Sequence, residues 1–97
     1  MKGVMITYDQ AHHEAIVNLL SRTNNRGYTA WPQVTGRGTR TGDPHLGSHA
    51  WPTTNAAIFT VVEDHRLDTL LQALNKLDED RPLLGLHAYA WDIVAYV

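Results

Sequence analysis

Apolar and polar residues along the chain follow two periods in turn. Residues 4–8 form a short apolar run with β-branched and aromatic members, and Asp9 follows where a helix N-cap would stand. From Gln10 to about Asn24, the residues Ala15, Ile16, Leu19 and Leu20 recur at three- and four-residue spacing. One apolar stripe of this kind predicts a helix, which Asn24-Asn25-Arg26-Gly27 would stop. Residues 28–34 return to an extended pattern, with Pro32 arguing for an edge position or a bulge. Residues 55–63 carry Ile58, Phe59, Val61 and Val62, a buried-strand composition, and Asp64 stands at a second N-cap place. Leu67, Leu70, Leu71, Leu74 and Leu77 then repeat at helical spacing until Asp78-Glu79-Asp80-Arg81-Pro82, and Gly85 marks a turn. A last strand is predicted over residues 87–97, rich in Tyr89, Trp91, Ile93, Val94 and Tyr96.

Two strand-helix-strand units in tandem define the fold class as α+β, a ferredoxin-like βαββαβ sandwich whose antiparallel sheet carries both helices on one face. The last strand is apolar on both of its faces: one carries Tyr89, Trp91, Ile93 and Val97, the other Ala88, Ala90, Val94 and Tyr96. Two helices cannot cover both. The expectation is therefore that the open face packs against copies of the same chain, with Trp91 in that interface.

Composition narrows the function classes. A chain of 97 residues supports a single domain over residues 1–97, with one modest core. Its formal net charge of -2, from charges of mixed sign, offers no basic stripe for nucleic acid. The absence of cysteine removes disulfides, thiolate metal sites and thiol nucleophiles together. The N-terminal apolar run is too short for a signal peptide and no later run is long enough to span a bilayer, so the expectation is a soluble cytoplasmic protein without membrane insertion.

Between the second and third strands lies a long segment, residues 36–55, without helical or strand periodicity. In so compact a domain such a loop is either functional or a sign that the elements are misassigned, and the clear flanking strands favour the first. Gly36, Gly38 and Gly42 let backbone amides approach an anion closely, and Arg37 and Arg40 among them supply charge, which would suit a nucleotide phosphate. Turn-forming glycines account for the same pattern.

The chain as a whole resembles the PII signalling superfamily, trimers of ferredoxin-like subunits with a long T-loop between the second and third strands. The most specific part is Val34-Thr35-Gly36-Arg37-Gly38-Thr39-Arg40-Thr41-Gly42, which is similar to the glycine-rich start of that loop, and Thr60-Val61-Val62-Glu63-Asp64 is similar as well. The resemblance implies a homotrimer that binds a small-molecule effector, in the first place an adenine nucleotide, in clefts between subunits. It also implies regulation of an unknown protein partner through the loop, without enzymatic activity. Gly36, Gly38 and Arg40 carry over as candidate ligands, with Thr29 on the preceding strand. Typical members have a second glycine- and lysine-rich loop before the last strand and an Arg-x-Arg pair after it; here Asp80-Arg81-Pro82-Leu83-Leu84-Gly85 stands in the first place. Most of that cationic phosphate clamp is missing, and the loop has no tyrosine for nucleotidylation.

Asp43, His45 and His49 place a carboxylate and two imidazoles within seven residues, acceptable ligands for a divalent transition metal, so a metal-binding or metal-sensing trimer is the second reading. Closing such a site needs water, His87 or a neighbouring subunit; otherwise these are solvent-exposed histidines. His12, His13 and His65 read as surface residues and His87 as a packed, hydrogen-bonded one. Trp31, Trp51 and Trp91 can stack on a base or fill an interface, and Trp51, on the loop, reads as an anchor for a subunit or effector. A third reading is a small ferredoxin-like oligomeric enzyme. No serine-histidine-acid constellation or paired carboxylates support it by spacing.

Overall fold

The computed structural model of the protein describes residues 1–37 and 54–97. These form β1 (Lys2–Asp9), α1 (His13–Arg22), β2 (Tyr28–Val34), β3 (Asn55–Val62), α2 (Leu67–Asp80) and β4 (His87–Asp92), with a single 3₁₀ turn leading into each helix. The strands make one sheet in the order β2-β3-β1-β4, every neighbouring pair antiparallel. This is the expected ferredoxin-like βαββαβ arrangement.

Strand alternation sorts the side chains. Val4, Ile6 and Tyr8 of β1 lie opposite Thr60, Ile58 and Ala56 of β3, and all six are buried against the helices. Ile16, Leu19 and Leu20 of α1 and Leu70 and Leu74 of α2 complete this core, as their periodicity predicted, and Leu84 closes it from the turn before β4. Burying each of these aliphatic side chains contributes roughly 1.5–3 kcal/mol. The alternate residues Met5, Thr7, Ala57, Phe59, Thr29, Trp31, His87, Tyr89 and Trp91 share the other face, which no helix among the described residues covers.

Three boundaries differ from expectation. Asp9 does cap, accepting a hydrogen bond from Ala11 N at 2.8 Å, but it caps the 3₁₀ turn over Gln10–His12, so α1 begins only at His13. At the second helix, Glu63 occupies the cap position and Asp64 sits inside the turn. The Asp64 carboxylate instead accepts from the Met1 ammonium at 2.8 Å, and that hydrogen bond and charge hold its carboxyl below the usual range. β4 stops at Asp92 rather than Val97. Its neighbour in the sheet, β1, begins at Lys2, which pairs with Asp92, so among the described residues 93–97 have no strand to lie against. A last bond from Ile93 N to Met1 O at 3.1 Å ends the register, and Val94, Tyr96 and Val97 are exposed.

Pro32 has its predicted consequence. β2 is an edge strand, and its register with β3 slips between Trp31 and Val34. Among the described residues no helix is long and apolar enough to cross a membrane.

Candidate functional site

Because β1 and β2 run together and β3 and β4 run against them, one end of the sheet collects the ends of β1 and β2 and the starts of β3 and β4. The backbone ties these segments together. Gln10 N donates to Thr54 O at 2.9 Å, and Asp9 N donates to Leu84 O at 2.8 Å. Gly36 lies against Asn55, whose Nδ2 would be 3.0 Å from a Cβ at position 36, so a larger residue there would have to displace the end of that side chain. Arg37 follows, exposed.

The same end holds two side-chain pairs that join separate parts of the chain. Tyr8, wholly buried at the end of β1, has its hydroxyl 2.5 Å from His13 Nδ1, with the two rings stacked at 5.9 Å and 11°. Burial pushes the Tyr8 phenol well up from its ordinary range, and the neighbouring Tyr28 adds to this. Arg81, in the turn after α2, approaches His12 Nδ1 with its Nη1 at 3.2 Å. His13 is thus a half-buried partner of Tyr8 rather than the surface histidine its position suggested. A buried tyrosine needs a partner for its hydroxyl. That need was a signal in the sequence for a polar group near Tyr8. The pairing of Arg81 with His12, across 69 positions, had none.

At the opposite end of β2 an open groove of about 360 Å³ is lined by Gly27, Tyr28, Thr29, Phe59, Thr60 and Val61, none of them charged. Thr60 Oγ1 donates to Gly27 O at 2.7 Å and fixes the start of β2 over it. A smaller groove of about 180 Å³ adjoins it through Gly27 and Val61 and contains Arg26, Glu63 and Arg66. The predicted ligands are therefore divided. Thr29 stands in the neutral groove, whereas Gly36 and Arg37 lie seven and eight positions further along, beyond the other end of β2. Gly38, Arg40, Gly42, Trp51 and the candidate metal ligands Asp43, His45 and His49 lie outside the described residues. Among the described residues no three metal-binding side chains cluster.

Trp91 is on the uncovered face of the sheet, stacked on Phe59 at 5.8 Å and 28°. The ring reaches across Gly3, where a Cβ would stand 2.7 Å from Trp91 Cε2. Trp31, Tyr89 and Trp91 remain 44%, 60% and 42% exposed, an aromatic surface too extensive for a face meant for water. His87 stacks on Tyr89 at 6.4 Å there, consistent with a packed role.

The family model for nitrogen regulatory protein P-II matches residues 1–82. The chain belongs to the P-II family. The fold of this P-II protein is shared by solved structures. CPII, a nitrogen regulatory PII-like protein from Thiomonas intermedia K12 bound to ADP, AMP and bicarbonate, superposes with a TM-score of 0.76 at 22% identity, covering 95% of this chain and 84% of its own. A PII-like signalling protein from Thermus thermophilus gives 0.68 at 24% identity, covering 95% and 85%. The apo form of CPII gives 0.66 at 20% identity, covering 95% and 89%. No curated protein matches the chain in sequence.

Proposed function

We propose that this P-II protein is a non-enzymatic cytoplasmic regulator that assembles as a homotrimer. In this reading it binds an adenine nucleotide in the clefts between copies and acts on a protein partner through the loop 36–55. The observation that carries the reading is the layout of β2 within a chain of this family. An uncharged groove at Thr29 has the chemistry for a base. The glycine and arginine at positions 36 and 37, at the strand's other end, have the chemistry for phosphates. CPII, of the same fold, is bound to ADP and AMP.

The uncovered sheet face supports assembly, because Trp31, Phe59, Tyr89 and Trp91 present aromatic area on one side of the molecule. Light scattering is expected to give three times the chain mass at micromolar concentration, and a monodisperse monomer would refute the assembly. Calorimetry with ATP, ADP, AMP and cyclic nucleotides tests the site. Bicarbonate belongs in the same series, since CPII carries it. Binding of none of the nucleotides would remove the effector reading and leave the family and fold alone.

A further inference from the structure

We propose that the groove containing Arg26, Glu63 and Arg66 binds a small zwitterion, an α-amino acid whose carboxylate meets the two guanidinium groups and whose ammonium meets Glu63. This site is separate from the nucleotide reading and does not depend on it.

The frame of the groove is set by the end of α1. Asn24 turns the chain with a φ of 62°, its N–H donates to Ser21 O at 3.1 Å, and Asn25 N donates to Leu20 O at 2.8 Å, the paired bonds that close a helix with a left-handed residue. The buried Asn25 side chain adds bonds from Nδ2 to Thr23 O at 3.1 Å and to Thr23 Oγ1 at 2.9 Å. On the other side of Arg26, Gly27 O is held by Thr60 Oγ1. Arg26 therefore stands on backbone tied before and after it. Arg66, directly before α2, lines the same groove and donates from Nη1 to Asn24 O at 3.1 Å.

The charges in this groove are unmatched. Arg26 makes no hydrogen bond or ion pair with any described residue, and the bond to Asn24 O leaves Arg66 most of its five N–H donors. Glu63 pairs with His65 at 3.4 Å, between exposed side chains, and forms no ion pair with either arginine. Two cations and one carboxylate thus line one space without neutralising one another.

That mixture of signs decides the ligand class. A simple anion drawn to the guanidinium groups would be repelled by Glu63, and a simple cation drawn to Glu63 would be repelled by the arginines. A molecule with both charges a few bonds apart satisfies all three side chains, because a guanidinium fork takes carboxylate oxygens two at a time and a carboxylate accepts from an ammonium. Size agrees with this. The groove of about 180 Å³ is room for about six waters at roughly 30 Å³ each, so it admits a ligand of about six heavy atoms, the size of alanine. The larger adjoining groove has no charged residue and offers neither contact.

Nuclear magnetic resonance titration of the full chain with L-alanine, propionate and ethylamine separates the ligand classes. Alanine is expected to shift the amide signals of Arg26, Gly27 and Arg66 saturably, and propionate and ethylamine, which keep one charge each, should bind at least about threefold more weakly. Arg26→Ala should weaken alanine by roughly 3- to 10-fold, less than a buried charge-assisted bond because the groove is open to water. Its thermal midpoint should match the parent, since the Arg26 side chain has no polar partner among the described residues to lose. Glu63→Gln should weaken alanine and strengthen propionate, an opposite response that a site for plain anions would not give. Absence of saturable alanine shifts, shifts confined to other parts of the chain, propionate bound as tightly as alanine, or losses for both ligands in Glu63→Gln would each overturn the inference, while the nucleotide reading stands or falls by its own calorimetry.

Discussion

Gly3 offers the sharpest test of how the uncovered face is built. It sits in β1 between Val61 of β3 and Trp91 of β4, and its missing side chain is the space that Trp91 occupies. A Cβ at this position would stand 2.7 Å from Trp91 Cε2, 2.8 Å from Cζ2 and 3.0 Å from Ile93 Cδ1. None of these is a distance at which carbon atoms rest, so in Gly3→Ala the indole must swing away and abandon its stack on Phe59. Alanine in a strand interior is favoured over glycine by roughly 0.5–1 kcal/mol. Against that stand roughly 1–3 kcal/mol for inserting a methyl into filled space and about 0.5–1.5 kcal/mol for the lost aromatic pair. The net destabilisation is about 0.5–4 kcal/mol, which lowers the thermal midpoint of a domain this size by roughly 2–30 °C. Measurement at one fixed protomer concentration is required, because self-association would make the midpoint depend on concentration. In a Trp91→Ala background the collision with the indole is gone and only the milder approach of Ile93 Cδ1 is left, so Gly3→Ala should cost much less and the two substitutions couple strongly. A midpoint for Gly3→Ala at or above the parent's, or the same decrease in both backgrounds, would refute the reasoning.

Three further outcomes follow from particular contacts. Tyr8→Phe should cost about 0.5–1.5 kcal/mol in chemical denaturation, the loss of one hydrogen bond to His13. The native Tyr8 phenol is raised above the ~10 of an unfolded tyrosine, so its stabilising effect is whole below that pH and is lost as the pH climbs above it. Ultraviolet titration should accordingly show one of the four tyrosines ionising only as the protein unfolds, and Tyr8→Phe should abolish that late step. Thr60→Val keeps the volume but removes the 2.7 Å bond to Gly27 O; a loss of about 1 kcal/mol is expected, along with weaker adenosine binding if the neighbouring groove holds the base. Tyr89→Glu, which puts charge on the uncovered face without touching the core, should convert the assembled protein to a smaller species in light scattering, and an unchanged mass would place the interface elsewhere.

Element order was legible because it depends on local period and on a few breakers. Leu70 and Leu74 are inward where their spacing put them, and Pro32 made both an edge and a bulge. The boundaries that moved did so for reasons outside the local pattern. The apolar run over residues 93–97 reads as strand by composition, but a strand needs a neighbour, and β1 starts too late to provide one. Asp64 has the chemistry of a cap, yet the ammonium of Met1, brought alongside by the fold, is a stronger partner than a backbone amide. His13 read as a surface histidine from its place in the first turn of the helix; the apolar strand before it signalled that the Tyr8 hydroxyl needs a polar partner, but nothing in the sequence singled out His13 for it. The site was legible to the same extent. Gly36, singled out by its type, lies against Asn55, whereas the contact of Arg81 with His12 arises only because the segment after α2 folds against the end of β1.

β2 connects these features. As an edge strand it has one side of its ladder unoccupied by the other described strands of the chain, and the slip between Trp31 and Val34 interrupts its pairing with β3, which resumes at Val34 opposite Asn55. Pro32 carries no N–H, so another strand laid along this edge would miss a bond at that point. The edge is therefore protected from simple sheet extension, the commonest hazard of an open strand. What it leaves available is side-chain chemistry at its two ends, the uncharged groove beside Thr29 and the glycine-arginine start of the long loop. A ligand spanning both would sit along a strand that another subunit can approach but cannot pair with throughout. A ligand there would lie beside the residues from which the loop departs, away from the core on the helix side. Pro32→Thr tests whether the irregular edge matters to the site, because it restores an N–H at that position and releases the fixed φ of the ring. It should lower the thermal midpoint slightly, because threonine leaves the unfolded chain freer than proline does, while reducing nucleotide affinity; a variant that binds nucleotide as the parent does would show that the irregular edge has no part in the site.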